Sequence, residues 1–182
     1  MPQSQKIRNF EIQKTCEYKG EVYHVRDNGC VFRLRKSNNR KRPLDEVWTI
    51  GKVNKQRGYL YFSSEVVHRI VATAFHKPPT KNHNIVDHID TNKQNNRTEN
   101  LRWVTKLENA VGNPITARRI ELVCGSIEAF LADPSKFSGK FQNSNYEWMC
   151  AISKEEAQIS KERLLAWAKS DKPAALYAME LS

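Results

Sequence analysis

Hydrophobic and polar positions alternate most clearly over residues 21–34. There Glu-Val-Tyr-His-Val leads into Asp27-Asn28-Gly29 and then Cys-Val-Phe-Arg-Leu. An Asn-Gly step between two alternating runs predicts a β-hairpin, because the tight turn needs positive φ, which Gly and Asn tolerate. Gly58–Phe62 reads as a further strand. A helix is expected next. Ser64 can cap it, Glu65 and Arg69 stand i,i+4, and Val67, Ile70, Val71 and Ala74 form one apolar stripe. Lys77-Pro78-Pro79 should end it, since the residue before a proline is pushed out of the helical region.

A short apolar strand is predicted over 84–89, a polar loop over 90–100 and a second strand over 101–104. Thr105 and Glu108 match a capping box, which places Asn109 in the first turn of a helix. Gly112 and Pro114 keep that helix short. The last third reads as strand 121–124, helix 126–131, strand 146–152 and helix 154–170. Ser153 and Glu156 form a second capping box there, and Ala157, Leu164, Leu165 and Ala168 line one side of the final helix. The pattern predicts an α+β chain in three segments. These are a β-rich N-terminal segment over 1–63, a strand–loop–strand–helix unit within 64–114, and a small α/β appendage over 115–182.

With 182 residues and 39% apolar content the chain can build a modest core. It has no apolar run long enough to cross a bilayer, and its first residues lack the apolar stretch of a signal peptide. An intracellular location with reduced thiols is therefore expected. Cys16, Cys30, Cys124 and Cys150 are scattered with no C-x-x-C pair, which argues against a structural zinc site.

Charge changes this bland picture. The net +10 asks for a polyanionic partner. Residues 1–119 hold 23 Lys and Arg against 11 Asp and Glu, a net +12, whereas residues 120–182 hold 7 against 9, a net −2. The polyanion should therefore meet the first two thirds of the chain, and the last third should support the fold or an interface. The densest stretch, Arg33–Arg42, reads equally well as a phosphate-tracking loop and as a solvated one. The cations expected to face nucleic acid are Arg33, Arg35, Lys36, Arg40, Lys41, Arg42, Lys55, Arg57, Lys93, Arg97, Arg102 and Lys106.

Chemistry concentrates in residues 84–112. Hydrolysis of a phosphodiester needs a base for water and positive charge on the phosphoryl group. His88 can be the base. Asp87 and Asn109 offer oxygen ligands suited to a hard cation such as Mg²⁺. Asn100 can accept from His88 Nδ1–H and leave Nε2 to take a proton. Adjacent strand residues point to opposite faces, so Asp87 and His88 can share a site only where the strand ends or bulges. Asp90 is expected to cap the loop. His68 should be a hydrogen-bonded structural histidine, and Trp103 should pack inward with Arg102 facing out.

The stretch VHRIVATAF…VDHIDTNKQNNRTENLRWVTKLEN, residues 67–109, closely resembles the HNH nuclease domain of phage and intron-encoded homing endonucleases. The resemblance implies a ββα-metal core and metal-dependent hydrolysis of double-stranded DNA. Mg²⁺ is the expected metal, with Mn²⁺ able to substitute. By position, Asp87 and Asn109 become metal ligands, His88 the general base and Asn100 the residue that orients it. Residues 20–66 look like the β-rich segment that often precedes this domain, whereas 113–182 resemble no DNA-binding tail. Family patterns often have Gly where Thr91 stands, and Asn92 could then supply the left-handed turn. The alternative is a non-catalytic DNA-binding protein on a degenerate HNH fold. An RNA-binding module is disfavoured by the lack of an RNP-like aromatic strand or GXXG loop. Monomer and homodimer both stay open.

Overall fold

The computed structural model describes residues 7–37 and 40–170; Asn38 and Asn39 of the basic run lie outside the described residues. The chain divides into two compact units, 1–103 and 104–182, a division that falls inside the segment read as 64–114.

The first unit is built of short strands around one helix. Strands β1 (Gln13–Tyr18), β2 (Glu21–Arg26) and β3 (Val31–Arg33) form an antiparallel sheet. Strands β4 (Lys52–Val53), β5 (Leu60–Phe62) and β6 (Glu65–Val66) form a second. Helix α1 (Val67–Phe75) follows, and then β7 (Ile85–His88) pairs with β8 (Leu101–Val104). The alternation seen in the sequence sorts the residues by face. Tyr23 and Val25 point inward, while His24 lies outside against the Phe32 ring. The α1 stripe, Val67, Ile70 and Val71, is fully buried among Tyr23, Val31, Leu60, Phe62 and Leu101.

Helix α1 begins later than the sequence suggests. Ser63, at φ 55, turns the chain so that Glu65–Val66 pairs with β5 as β6. Strand pairing takes the place of a side-chain cap, so Ser64 does not cap the helix and Val66 stands at its start. Glu65 pairs with Lys19, 2.8 Å away, rather than supporting Arg69 along a helix.

Over residues 106–170 the second unit has helices joined by turns and no strand, which corrects the α/β appendage. It comprises α2 (Lys106–Val111), α3 (Pro114–Cys124), α4 (Ile127–Ala132) and α5 (Lys154–Ala168), with a 3₁₀ turn at Ser144–Met149. The stretch 121–124 is the last turn of α3, because Asn113 caps the Ile115 and Thr116 N–H groups and Pro114 presets the first turn. Its apolar residues follow helical spacing, with Ile120 buried and Leu122 71% exposed. Residues 146–152 are not a strand either, since Asn143 accepts from Asn145 N–H and starts the 3₁₀ turn. Helix α5 is as expected, although of the Ser153–Glu156 box only the bond from Glu156 N–H to the Ser153 side chain forms. Leu107, Ile120, Phe130, Leu131, Met149, Ala157 and Leu164 make the core of this unit.

The basic run is anchored by carboxylates. Arg33, read from the sequence as DNA-facing, is buried and bonds Asp45 at 2.6 Å. Arg42 bridges Glu21 at 2.7 Å and Asp45 at 3.2 Å. Burial alone would raise the Asp45 carboxyl. Bonds from the Arg42 backbone and both guanidinium groups outweigh it and hold the carboxyl at about 2, below its ordinary 3.8.

Asp45→Ala leaves Arg33 buried without its partner and should cost about 3–5 kcal/mol in urea unfolding. Because the folded value lies below the unfolded one, the Asp45 contribution is complete above about pH 4 and lost as pH falls toward about 2. The wild type should lose stability across that window, and Asp45→Asn should flatten the loss. An equal acid slope in the two proteins would refute the assignment.

Candidate active site

Strand β7 ends at His88, as a shared Asp-His site requires. The two side chains meet different surroundings. Asp87 is half-buried, and its Oδ2 accepts from Arg102 Nε at 2.8 Å and pairs with Nη2 at 2.7 Å. Arg102 therefore holds a carboxylate instead of facing outward. Trp103 packs inward as expected and donates from Nε1 to Lys77 O at 3.0 Å.

His88 is 5% exposed and sits in a wall of rings. Its centroid lies 5.1 Å from that of His68, edge to face, and 5.8 Å from that of Tyr59. The His68 Nδ1 is buried with no hydrogen-bond partner among the described residues, so ring packing rather than hydrogen bonding holds His68 there. Burial, helped by the neighbouring His88 and Arg69, pushes the His68 imidazole down to about 3, so it is neutral at working pH. Burial also lowers His88, opposed by its bond to Asn96 and by the charges of Asp87 and Asp90.

The orienting partner of His88 is Asn96. His88 Nε2 stands 2.9 Å from Asn96 Oδ1, and Asn96 is 4% exposed. With the amide oxygen as acceptor, Nε2 carries the proton and Nδ1 keeps the lone pair, the reverse of the tautomer expected from Asn100. Asn100 instead builds the loop. Its Nδ2 donates to Asp90 Oδ1 and to Asn95 O, each at 2.8 Å, and its Oδ1 accepts from Asp90 N–H at 2.9 Å. Asp90 caps the loop as expected, accepting also from Asn92 N–H at 2.9 Å and Asn95 Nδ2 at 2.6 Å. Among several loop asparagines, no local pattern singles out Asn96.

Two backbone positions set this geometry. Thr91, not Asn92, takes the left-handed conformation at φ 63, and its N–H closes a turn on His88 O at 2.9 Å. Asn92 is already held by the Asp90 carboxylate. At the hairpin turn, Gly29 has φ 87, and a Cβ there would lie 2.7 Å from Asn96 O. The neighbouring Asp27 O accepts from Thr98 N–H at 2.8 Å, so the hairpin braces the loop that carries Asn96.

Asn109 belongs to the second unit. It is exposed on α2, with its N–H bonded to Thr105 O at 3.0 Å and both halves of the Thr105–Glu108 capping box formed. Lys106 on the same helix lies over the Trp148 ring at 3.8 Å.

The other cations expected to meet nucleic acid fall into two groups. Lys36 pairs with Glu21, Lys41 with Glu46 and Arg97 with Glu99. Arg40, Lys55, Arg57 and Lys93 are exposed and make no ion pair among the described residues. Arg35 is exposed as well.

Residues 65–111 match the family model described as HNH endonuclease. Over 107 residues the chain is 32% identical to a protein of Acanthamoeba polyphaga mimivirus named "Uncharacterized HNH endonuclease L245". The alignment takes in 56% of this chain and 30% of that relative, so the chain spans about a third of the relative's length. A solved structure described as "DNA binding and cleavage by the HNH homing endonuclease I-HmuI" is 30% identical over 60% of this chain and 67% of that one, with a TM-score of 0.31.

The two backbone positions should respond oppositely to substitution. Thr91→Gly removes a left-handed β-branched residue and should stabilise by up to about 1 kcal/mol, the strain relieved less the entropy Gly adds to the unfolded chain. Gly29→Ala should destabilise by about 1–3 kcal/mol, since the methyl meets the Asn96 backbone. Urea midpoints at constant slope read both; an unchanged midpoint for Gly29→Ala would contradict the close approach.

Proposed function

The chain belongs to the HNH endonuclease family, and on that premise we propose that it hydrolyses DNA phosphodiester bonds with His88 as general base and a divalent metal ion as cofactor. The observation that carries this reading is the buried His88 imidazole, held through Nε2 by Asn96 at 2.9 Å. Nδ1 makes no hydrogen bond among the described residues and is the atom that takes the proton from the attacking water. Burial favours the neutral ring, the form a base requires. Asn96 supplies the orientation, and the His68 and Tyr59 rings restrict the tilt of the imidazole.

The donor chemistry suits the cation that the family implies. Asp87 offers a carboxylate, a hard donor, and a small dication such as Mg²⁺ would leave other positions for water and phosphate oxygens. Among the described residues no cluster of three or more His, Cys, Asp or Glu competes for that role. Bound to Asp87, the ion would stabilise negative charge developing on the phosphoryl group and the leaving oxygen. Arg102 would hold the Asp87 carboxylate in place. The products would be a 5′-phosphate and a 3′-hydroxyl.

Plasmid nicking in Mg²⁺ or Mn²⁺ tests the proposal. His88→Ala should slow cleavage by about 10²–10⁴-fold with DNA affinity nearly unchanged. Asn96→Ala should slow it by about 10–100-fold, as loss of an orienting partner does. EDTA should stop the reaction. Cleavage that persists in excess EDTA, or a His88→Ala protein keeping over about half of its activity, lies outside these ranges and would sink the mechanism. A wild type that binds DNA without nicking it would favour the non-catalytic reading.

A further inference from the structure

The ion pairs sort the basic surface of the first unit. Cations already neutralised by carboxylates gain less from a phosphate, because they must give up one partner for another. Lys55, Arg57 and Lys93 make no such pair among the described residues, and they are not scattered. Lys55 and Arg57 stand at the tip of the β4–β5 hairpin, whose shape is locally determined. Asn54 Oδ1 accepts from Gln56 N–H at 3.1 Å and Arg57 N–H at 3.0 Å, and Gly58 N–H bonds Asn54 O at 2.8 Å. Lys93 comes from the loop after His88. Its ammonium donates to Arg57 O at 3.5 Å and lies over the Tyr59 ring at 5.0 Å. That ring is the one that packs on His88, with centroids 5.8 Å apart. The Lys93 stem runs beside Gly58, whose φ of 78 closes the hairpin tip.

Tyr59 thus separates the exposed Lys93 ammonium from the general base by one ring, and that ammonium touches the backbone of Arg57. Along a DNA strand rising about 3.4 Å per nucleotide, the Lys93 ammonium is within about three steps of His88. We propose that Arg57 and Lys93, with Lys55 at the outer end, clamp backbone phosphates of the DNA strand next to the bond that His88 attacks. Arg57 offers a planar fork that matches phosphate oxygens, and Lys93 a point charge steadied by the Tyr59 ring. The clamp reads no bases, so it acts on every sequence alike and sets the strand's position rather than the choice of site. Its location beside the scissile bond rests on the endonuclease reading, but the existence of the clamp does not.

The test is anisotropy of a short labelled duplex with the full chain in EDTA, titrated at several salt concentrations. Arg57→Gln with Lys93→Gln should weaken binding by roughly 10-fold at low salt. It should also lower the log–log salt slope by about two units, near 0.9 for each phosphate left without its cation. Lys93→Arg in place of Lys93→Gln should restore about half of that slope. Lys41→Gln with Arg97→Gln removes the same charge from residues already committed to Glu46 and Glu99 and should leave the slope near wild type. Wild-type affinity and slope in the clamp variant would overturn the proposal, as would an equal loss in the control pair. Because binding is read without metal, a clamp that behaves as expected in a protein that never nicks DNA upholds this inference while removing the endonuclease reading.

Discussion

Nothing larger than a hydrogen fits between residue 29 and the backbone of Asn96, where a Cβ would come within 2.7 Å of a carbonyl oxygen. Much of the first unit converges on that approach. The hairpin turn supplies the glycine, and the sheet it belongs to is pinned through Tyr23 and Val25 to the buried face of α1. The turn also takes the Thr98 N–H, and His76 at the end of α1 meets Thr98 O at 2.9 Å from the other side. Loop 90–100 is therefore gripped by two elements distant in sequence, and Asn96 meets His88 because of that grip. Orientation of a buried imidazole to within a hydrogen bond demands such support, since a ring with one bond and loose packing samples many tilts.

The parts of this arrangement legible in the sequence are those written in local rules. The Asn-Gly turn, the α1 stripe, the Thr105–Glu108 box and the end of β7 at His88 each depend on a few neighbouring residues. The orienting role of Asn96 was not legible. Asn92, Asn95, Asn96 and Asn100 are chemically equivalent in the sequence, and the Asp90 carboxylate decides which are engaged elsewhere. Motif position pointed to Asn100, which serves the loop's interior instead. The 121–124 and 146–152 runs failed for another reason: short apolar stretches carry no decisive period, and the Asn113 and Asn143 caps upstream of them settle the matter.

Charge was legible in sum and not in detail. A net +10 correctly flags an excess of cations, yet the densest stretch contributes much of its charge to internal pairs with Asp45, Glu21 and Glu46. Such pairs join residues far apart in the chain, so counting along the sequence cannot find them. Arg33 has to be buried for β3 to close against Asp45, and a desolvated guanidinium needs that carboxylate. What remains at the surface is a smaller set of cations, and the hairpin tip with Lys93 stands out within it.

The bracing by Gly29 also bears on modularity. The segment that carries the family signature, 65–111, includes His88 and Asn96 but not the turn at Asp27–Gly29 against which Asn96 rests. Transplanted alone into another scaffold, that segment would bring His88 and Asn96 and leave behind the turn against which Asn96 rests. Recombination that exchanges such nuclease cassettes between proteins would then succeed best when the cut falls ahead of β1, so that hairpin and cassette travel as a single heritable piece.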